Sequence, residues 1–171
     1  MIPITAAVSG KLSWSRLSCF SGSYELKVNE QVAGTLTRPS LWSSKLIATI
    51  EGEQWAFRRA GWLGSGAEIL DASDQPIATY KTSWNRTGTL TFADGQKFSV
   101  RMNGWFRPTW SIVTESGHPV ALLHTRGREI ELPQGVTIPS SRLSLLILFA
   151  LNCILLTEED AAGAAVVAAT S

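Results

Sequence analysis

The sequence predicts a mostly β protein, in which about 12 antiparallel strands close into a barrel around an apolar C-terminal helix. Three observations predict this fold. Residues 11–133 are short runs of alternating apolar and polar residues, separated by turn residues. Seven tryptophans are spread over the 171 residues, which suits strands that fill a wide interior. After residue 139 the alternation stops, and an almost wholly apolar segment follows.

The chain has the size of one domain, so we expect a single domain over residues 1–171. Its 15 Lys and Arg against 14 Asp and Glu leave a net charge of +1, which gives no indication of nucleic-acid binding. Cys19 and Cys153 are too few for a disulfide framework or a thiolate metal site. Residues 1–10 lack the features of a signal peptide, so we expect a cytoplasmic protein.

Alternation and turn residues place the strands. The apolar residues of Tyr24–Val28 and Lys97–Met102 take every second position, which predicts one buried face per strand. Asp94-Gly95 and Asn103-Gly104 are strong hairpin signals between such runs. The runs between turns predict strands at 12–20, 23–29, 31–37, 42–50, 53–59, 66–71, 76–83, 87–93, 96–102, 109–114, 118–125 and 128–132.

Three of the predicted strands begin with similar segments, namely Gln31-Val32-Ala33, Gln75-Pro76-Ile77-Ala78 and His118-Pro119-Val120-Ala121. This similarity indicates a recurring hairpin unit. The spacing is too irregular to predict a propeller or a solenoid.

The apolar segment predicts a central helix over residues 140–156, with Ser140 as a cap. Within Leu143–Leu156 only Ser144 and Asn152 are polar, so such a helix has no face suited to water. Its 14 residues span about 21 Å, well short of a bilayer core of about 30 Å. A buried core helix is therefore favoured over a membrane span.

The last residues, 157–171, predict a separate short alanine-rich helix or a frayed tail. Glu158, Glu159 and Asp160 suit the first turn of a new helix better than the end of the preceding one. Thr157 is then its cap, and Asp160 takes the place of the usual capping-box acid.

Strands and helix fit together in one arrangement. One-sided strands must bury their apolar faces, and a helix that is apolar on every side must be covered everywhere. Because barrel diameter grows with strand number, 12 strands leave room on the axis for a helix about 10–12 Å wide. An eleven-stranded can around a central helix is the general precedent.

Short tryptophan-rich strands, hairpins such as Gln75-Pro76-Ile77-Ala78 and Glu115-Ser116-Gly117-His118-Pro119-Val120-Ala121, and the final apolar segment resemble the tubby C-terminal-like fold. Within that fold, the chain is most similar to the LURP-one-related and phospholipid scramblase branch. The resemblance implies a 12-stranded barrel around a hydrophobic C-terminal helix, usually without known catalysis. Tubby relatives bind phosphoinositide head groups through basic side chains, and scramblase relatives act at membranes. No binding residue of those relatives can be matched to a position here.

The two histidines do not predict a metal site. His118 and His124 are too far apart on one strand to share an ion, and His124 has the parity of an interior residue. Gly61–Gly66 lies between two strands and is best explained as a loop, since no helix follows it to bind phosphate. Asn85-Arg86-Thr87 fits the glycosylation pattern but is interpreted as a plain turn.

Basic side chains are the remaining candidates. Solvated strand faces are the favoured interpretation, and an anion-binding patch on one wall is the alternative, for Arg58, Arg59, Lys81, Arg86, Arg101, Arg107, Arg126 and Arg128. Arg59 shares parity with Trp55 and Phe57, so we expect it inside or at a rim, where burial would require a carboxylate partner. We expect Trp105–Pro108 to pack across the barrel end, and a tip that contacts a membrane or a partner is the alternative.

We therefore expect a non-catalytic binding or scaffolding module, with a phospholipid head group or a protein as its partner. The sequence assigns no catalytic residue, no cofactor, no metal ligand and no ligand-binding residue. Two other functions stay open: a membrane-associated protein that inserts Leu143–Leu156, and an enzyme of unknown class. Peripheral membrane attachment of a cytoplasmic protein fits the first expectation.

Overall fold

The computed structural model describes residues 11–17, 23–40, 43, 45–61, 66–83, 87–104, 106, 108–135 and 137–169. They form a closed antiparallel barrel of 12 strands and one C-terminal helix, which confirms the predicted fold class. The elements are β1 (Leu12–Arg16), β2 (Tyr24–Val28), β3 (Gln31–Thr37), β4 (Lys45–Ile50), β5 (Glu53–Ala60), β6 (Gly66–Leu70), β7 (Pro76–Thr82), β8 (Thr87–Phe92), β9 (Lys97–Asn103), β10 (Thr109–Thr114), β11 (Pro119–His124), β12 (Glu129–Glu131) and α1 (Ser140–Ala169).

Each strand pairs with the next one in the chain, and β12 pairs with β1 to close the barrel. Leu12 of β1 is opposite both Val28 of β2 and Ile130 of β12. Closure removes the free strand edges that would otherwise invite pairing with another chain.

Alternating strand directions give the barrel two different ends. The end at which α1 begins, called the entry end, carries the turns between β2 and β3, β4 and β5, β6 and β7, β8 and β9, and β10 and β11. Two of these turns, Asn29-Glu30 and Glu51-Gly52, have positive φ at both residues, as the tightest hairpins require. The opposite end, called the exit end, carries the other six connections.

Helix α1 fills the barrel interior. Residues Leu146–Ala150 are all fully buried, and successive helical side chains point about 100° apart, so the helix is covered on every side. Phe149 packs edge-on against Phe57 of β5 and Tyr80 of β7, with ring centroids 5.5 and 5.1 Å apart. The predicted central helix over residues 140–156 is confirmed.

The predicted helix break at Thr157 is wrong, because α1 continues without interruption to Ala169. The Thr157 hydroxyl donates to the Cys153 carbonyl, 2.9 Å away, instead of capping a new helix. The acids that follow are compensated by partners on the barrel, so they need no helix N-terminus.

Three strands carry a β-bulge, and these are the strands with the similar starting segments. Registers shift by one residue in β3, β7 and β11, which leaves Ala33, Ile77 and Val120 as the extra residues. The bulges recur at every fourth strand. The recurring hairpin unit is therefore a bulge that bends its strand around the barrel.

Length and composition alone would let one helix, Ser140–Ala162, cross a membrane. In the barrel, 72% of its 18-residue apolar window is buried. The barrel wall supplies the apolar surroundings that this segment requires.

Candidate functional site

The exit end is where α1 meets the barrel rim through polar contacts. The Tyr24 hydroxyl donates to Glu158 (3.3 Å), Arg38 pairs with Glu159 (2.6 Å), and Arg59 pairs with Asp160 (3.1 Å). We call these six residues the exit cluster. Its three barrel residues lie at the start of β2 (Tyr24), just after β3 (Arg38) and near the end of β5 (Arg59). Three different hairpins therefore hold one turn of α1.

Tyr24 remains a neutral hydrogen-bond donor in this cluster. Burial, together with the charge of Glu158, raises the pKa of the Tyr24 hydroxyl to about 12. At neutral pH the hydroxyl therefore keeps its proton and can donate it to the carboxylate.

The entry end holds α1 by a single basic side chain, Arg142. Its guanidinium pairs with Asp94 (2.8 Å) and lies over the Phe92 ring, 3.9 Å from the centroid. A cation in the first helical turn is unfavourable beside the positive end of the helix dipole, and Asp94 offsets that cost. The backbone N–H of Gln96, followed by Arg142, holds the pKa of the Asp94 carboxyl below its usual value.

A cleft of about 370 Å³ opens beside the exit cluster, and we call it the arginine cleft. Its polar lining includes Arg38, Arg58 and Arg59, and its apolar lining is Leu46, Phe57 and Leu156. The Arg38 Nε atom is buried and has no hydrogen-bond partner among the described residues. The cleft thus combines guanidinium donors with an apolar floor, in the lower part of the usual volume range of ligand sites, about 300–1,000 Å³.

A second cleft of about 240 Å³, the tyrosine cleft, lies beside the same stretch of helix. Its apolar wall includes Ala67, Tyr80, Trp110 and Cys153, and polar side chains, Thr82, Ser83 and Thr157 among them, line it too. A close backbone approach shapes this wall, because a Cβ on Gly88 would overlap the Tyr80 ring. Glycine at residue 88 is therefore required for the Tyr80 ring to lie against β8.

Asn152 lies between the two clefts and lines both. Its side chain is only 3% exposed, yet no described residue offers it a hydrogen bond. Ser144, the other buried polar residue of α1, does have a partner, because its hydroxyl donates to the Ser140 carbonyl. Among the described residues, only Arg38 Nε is both fully enclosed and without a partner, so the Asn152 amide keeps contact with the clefts, where it can bond to water or to a ligand.

The structure places both histidines on the outside of the barrel. His118 lies exposed in the turn before β11, with Nδ1 2.8 Å from the Ser116 hydroxyl. The expectation of an interior His124 is wrong: its side chain is 43% exposed and lies 3.6 Å from Glu131. The bulge at Val120 changes the parity of β11, so that Ala121 and Leu123 face inward instead.

Two of the described basic candidates lie together at one site, and the other described candidates do not. Arg58 and Arg59 line the arginine cleft together with Arg38, which the sequence analysis did not single out. Arg59 lies at the rim, as its parity predicts, with a carboxylate partner although 37% of its side chain is exposed. Arg58 pairs with Glu68 at 2.6 Å. The remaining described candidates are exposed and pair with no described carboxylate: Lys81, Arg101, Arg126 and Arg128.

Several sequence candidates lie outside the described residues, namely 62–65 of the glycine-rich loop, Trp42, Trp84, Asn85, Arg86, Trp105 and Arg107. Phe106 is described, and the expectation that it packs across the barrel end is wrong, because it is 94% exposed. Helix α1 and the exit cluster already occupy that end.

Sequence reasoning missed Tyr24, Arg38 and the role of the acids after Thr157. Those acids stand in the sequence directly after a segment that the barrel must enclose. That position is a signal that they would meet basic groups at a rim.

A comparison of the chain with family models, with curated proteins and with solved structures found no match.

Proposed function

We propose that the protein is a non-catalytic binding module that takes up the anionic head group of a phospholipid at the exit end of its barrel. The observation that carries the proposal is the arginine cleft, which is lined by three guanidinium groups and by three apolar side chains. A phospholipid presents the same combination, an anionic group next to apolar chains. Peripheral attachment of a cytoplasmic protein to a membrane surface is the setting that this proposal implies.

The guanidinium groups keep donors for a ligand. Arg38 and Arg59 each make one described hydrogen bond to an acid of α1, through NH2 in both cases. A guanidinium has five N–H donors, and its planar fork matches the oxygens of a phosphate. An anion in the cleft would also give the buried Nε of Arg38 the acceptor that it lacks.

The acids of the exit cluster act as competitors in this proposal. Glu159 and Asp160 occupy the arginines from the helix side, so an incoming anion would share or displace them. Glu159→Gln and Asp160→Asn should therefore strengthen anion binding, whereas they would weaken a site for cations. The direction of this change identifies the sign of the ligand charge.

Vesicle co-sedimentation tests the proposal. The full chain is mixed with vesicles of phosphatidylcholine alone, or of phosphatidylcholine with phosphatidylserine or a phosphoinositide. We expect binding to the anionic vesicles, loss of most of that binding in the double variant Arg38→Gln with Arg59→Gln, and a gain in Asp160→Asn.

The matched control removes the same number of charges at the entry end. Lys11→Gln with Lys97→Gln lowers the net charge equally, at exposed positions far along the chain from the arginine cleft. Equal losses in the two double variants would mean that net charge alone causes the binding. That outcome, or no preference for anionic vesicles, contradicts the proposal.

Insertion of the helix into the bilayer is the second candidate function. One observation favours it, since Ser140–Ala162 is long and apolar enough to cross a membrane. Insertion would require α1 to leave the barrel and expose the inner faces of 12 strands to water. Vesicle-bound protein that resists alkaline carbonate extraction would support insertion, whereas release by carbonate or high salt supports head-group binding.

A further inference from the structure

The two clefts at the exit end share part of their lining. Arg59, Asn152, Leu156 and Asp160 line both of them, so the clefts meet along one face of α1. The Arg59–Asp160 ion pair bridges β5 and the helix at that junction. Its side chains are 37% and 71% exposed, and exposed pairs contribute little stability, so a ligand can displace the pair at small cost.

The clefts differ in chemistry. Arg38 and Arg58 line the arginine cleft and not the tyrosine cleft. The tyrosine cleft has an apolar side, formed by Ala67, Tyr80, Trp110 and Cys153, and a polar side that includes Thr82, Ser83 and Thr157. The arginine cleft therefore suits an anionic group, and the apolar side of the tyrosine cleft suits an apolar chain.

Asn152 lies between the two clefts and lines both of them. The residue is only 3% exposed, and no described residue hydrogen-bonds to its amide. Of the four buried polar residues in the described part of the chain, Ser23, Ser111 and Ser144 have partners within the protein. A polar atom between an anionic head and an apolar chain would supply the missing partner for Asn152.

We infer that the ligand is a single-chain anionic amphiphile, whose head lies in the arginine cleft, whose chain lies in the tyrosine cleft and whose linking oxygen bonds to Asn152. This inference rests on the proposed function and adds the number and the position of the apolar chains. The tyrosine cleft is the smaller of the two, about 240 Å³ against about 370 Å³ for the arginine cleft, so we assign a single chain to it.

Calorimetric titration of the full chain with three probes tests the inference: inorganic phosphate, octyl phosphate and 1-octanol. We expect octyl phosphate to bind at least about tenfold more tightly than inorganic phosphate, because each methylene removed from water contributes about fourfold in affinity. We expect 1-octanol to bind more weakly than octyl phosphate, since it lacks the anionic head.

Variants of the tyrosine cleft locate the chain. Ala67→Leu reduces its volume from within, and Ser83→Leu does so from an exposed position where folding is not at risk. Both should lower the affinity for octyl phosphate toward that for inorganic phosphate and leave the latter unchanged. Thr79→Leu, an exposed change on β7, the strand that ends just before Ser83, lines neither cleft and is the matched control.

Asn152→Leu separates a ligand-binding role from a packing role. Because the amide makes no hydrogen bond to another described residue, its replacement by a leucine should not lower Tm, while the affinity for octyl phosphate should fall by about two- to tenfold through the lost hydrogen bond. A fall in Tm together with unchanged affinity would mean that Asn152 serves packing alone, and it would overturn the role assigned to it.

The outcomes distinguish the inference from the proposed function. Equal affinities for phosphate and octyl phosphate, or a preference for octyl phosphate that both tyrosine-cleft variants retain, overturn the inference and leave head-group binding intact. Equal affinities for 1-octanol and octyl phosphate would overturn the inference that the head of the ligand is anionic. Absence of binding by both phosphates, with no binding to anionic vesicles, overturns the proposed function itself.

Discussion

The two ends of the barrel hold the same helix in different ways. At the entry end, tight turns surround the start of α1, and one side chain, Arg142, joins it to Asp94 and Phe92. At the exit end, three acids of α1 meet Tyr24, Arg38 and Arg59, and two clefts open beside them. At the entry end the described side chains fix the helix through Arg142, whereas the exit end combines charge, accessible volume and an amide without a described hydrogen-bond partner.

This difference indicates that the middle of α1 stabilises the fold, whereas its exit end is accessible to a ligand. Side chains near the middle of α1 are fully buried and contribute to the core, whereas Leu156 is only half-buried and borders both clefts. A fold that placed its stabilising contacts equally along the helix would leave no accessible site. The exit end is thus the part of the molecule that can exchange partners.

Removal of the helix has the largest expected effect. A chain that ends at Pro139 loses the whole filling of the barrel, so we expect insoluble or unfolded protein, checked by expression in the soluble fraction and by circular dichroism. A chain that ends at Asp160 is the matched control, because it keeps the buried segment and the exit cluster. It should remain folded, and a soluble, cooperatively folding chain without the helix would contradict the central-helix architecture.

A pair of identical substitutions sharpens the comparison along α1. Leu146→Ala, at a fully buried residue, should lower the free energy of unfolding by about 2–5 kcal/mol. Leu156→Ala, at the half-buried exit position, should cost less than half as much, because part of that side chain is already in contact with water. Chemical denaturation measures both, and equal losses would mean that the exit end is as closed as the middle.

Much of this architecture follows from the sequence, since alternation and turn residues are local signals. The strands 31–37 and 109–114 were predicted to the residue, and the helix start at Ser140 was predicted too. His124 was misplaced because a bulge is decided by pairing across strands and leaves no mark in one strand's alternation. The similar starting segments of β3, β7 and β11 indicate a recurring unit, but the alternation within each strand does not show that the unit is a bulge.

The candidate site could be predicted only in part. Arg59 was placed at a rim by its parity, yet its partner Asp160 lies 101 residues later in the chain. Arg38 and Asn152 come together with Arg59 only through barrel closure and helix insertion. Contacts of this kind depend on the global fold, whereas the sequence pattern around each residue reports only its local strand or helix.

Alkylation of Cys153 measures how readily the exit end opens. Burial raises the pKa of this thiol to about 12, so the native protein should react slowly with iodoacetamide near neutral pH. In a Cys19→Ser background, Arg38→Gln with Arg59→Gln should speed the labelling by about two- to tenfold, because two ion pairs to α1 are lost. Arg142→Gln at the entry end is the control, and an equal acceleration there would contradict the difference between the ends.

The smallest expected effect is an acid sensitivity specific to the entry end. The Gln96 backbone N–H and Arg142 hold the pKa of Asp94 in the folded protein below its ordinary value of 3.8. A carboxyl whose pKa is lowered on folding stabilises the fold above the unfolded pKa, and that stabilisation is lost as the pH falls through the lower folded pKa. Asp94→Asn should therefore lower Tm slightly at pH 7 and by a smaller amount near pH 3.

The control is Glu30→Gln, at an exposed entry-end carboxylate without a described ion pair, which should change Tm equally little at both pH values. A difference between wild type and Asp94→Asn that is as large at pH 3 as at pH 7 would mean that Asp94 acts through packing or turn geometry, and the entry end would then lack the charged anchor that sets it apart from the exit cluster.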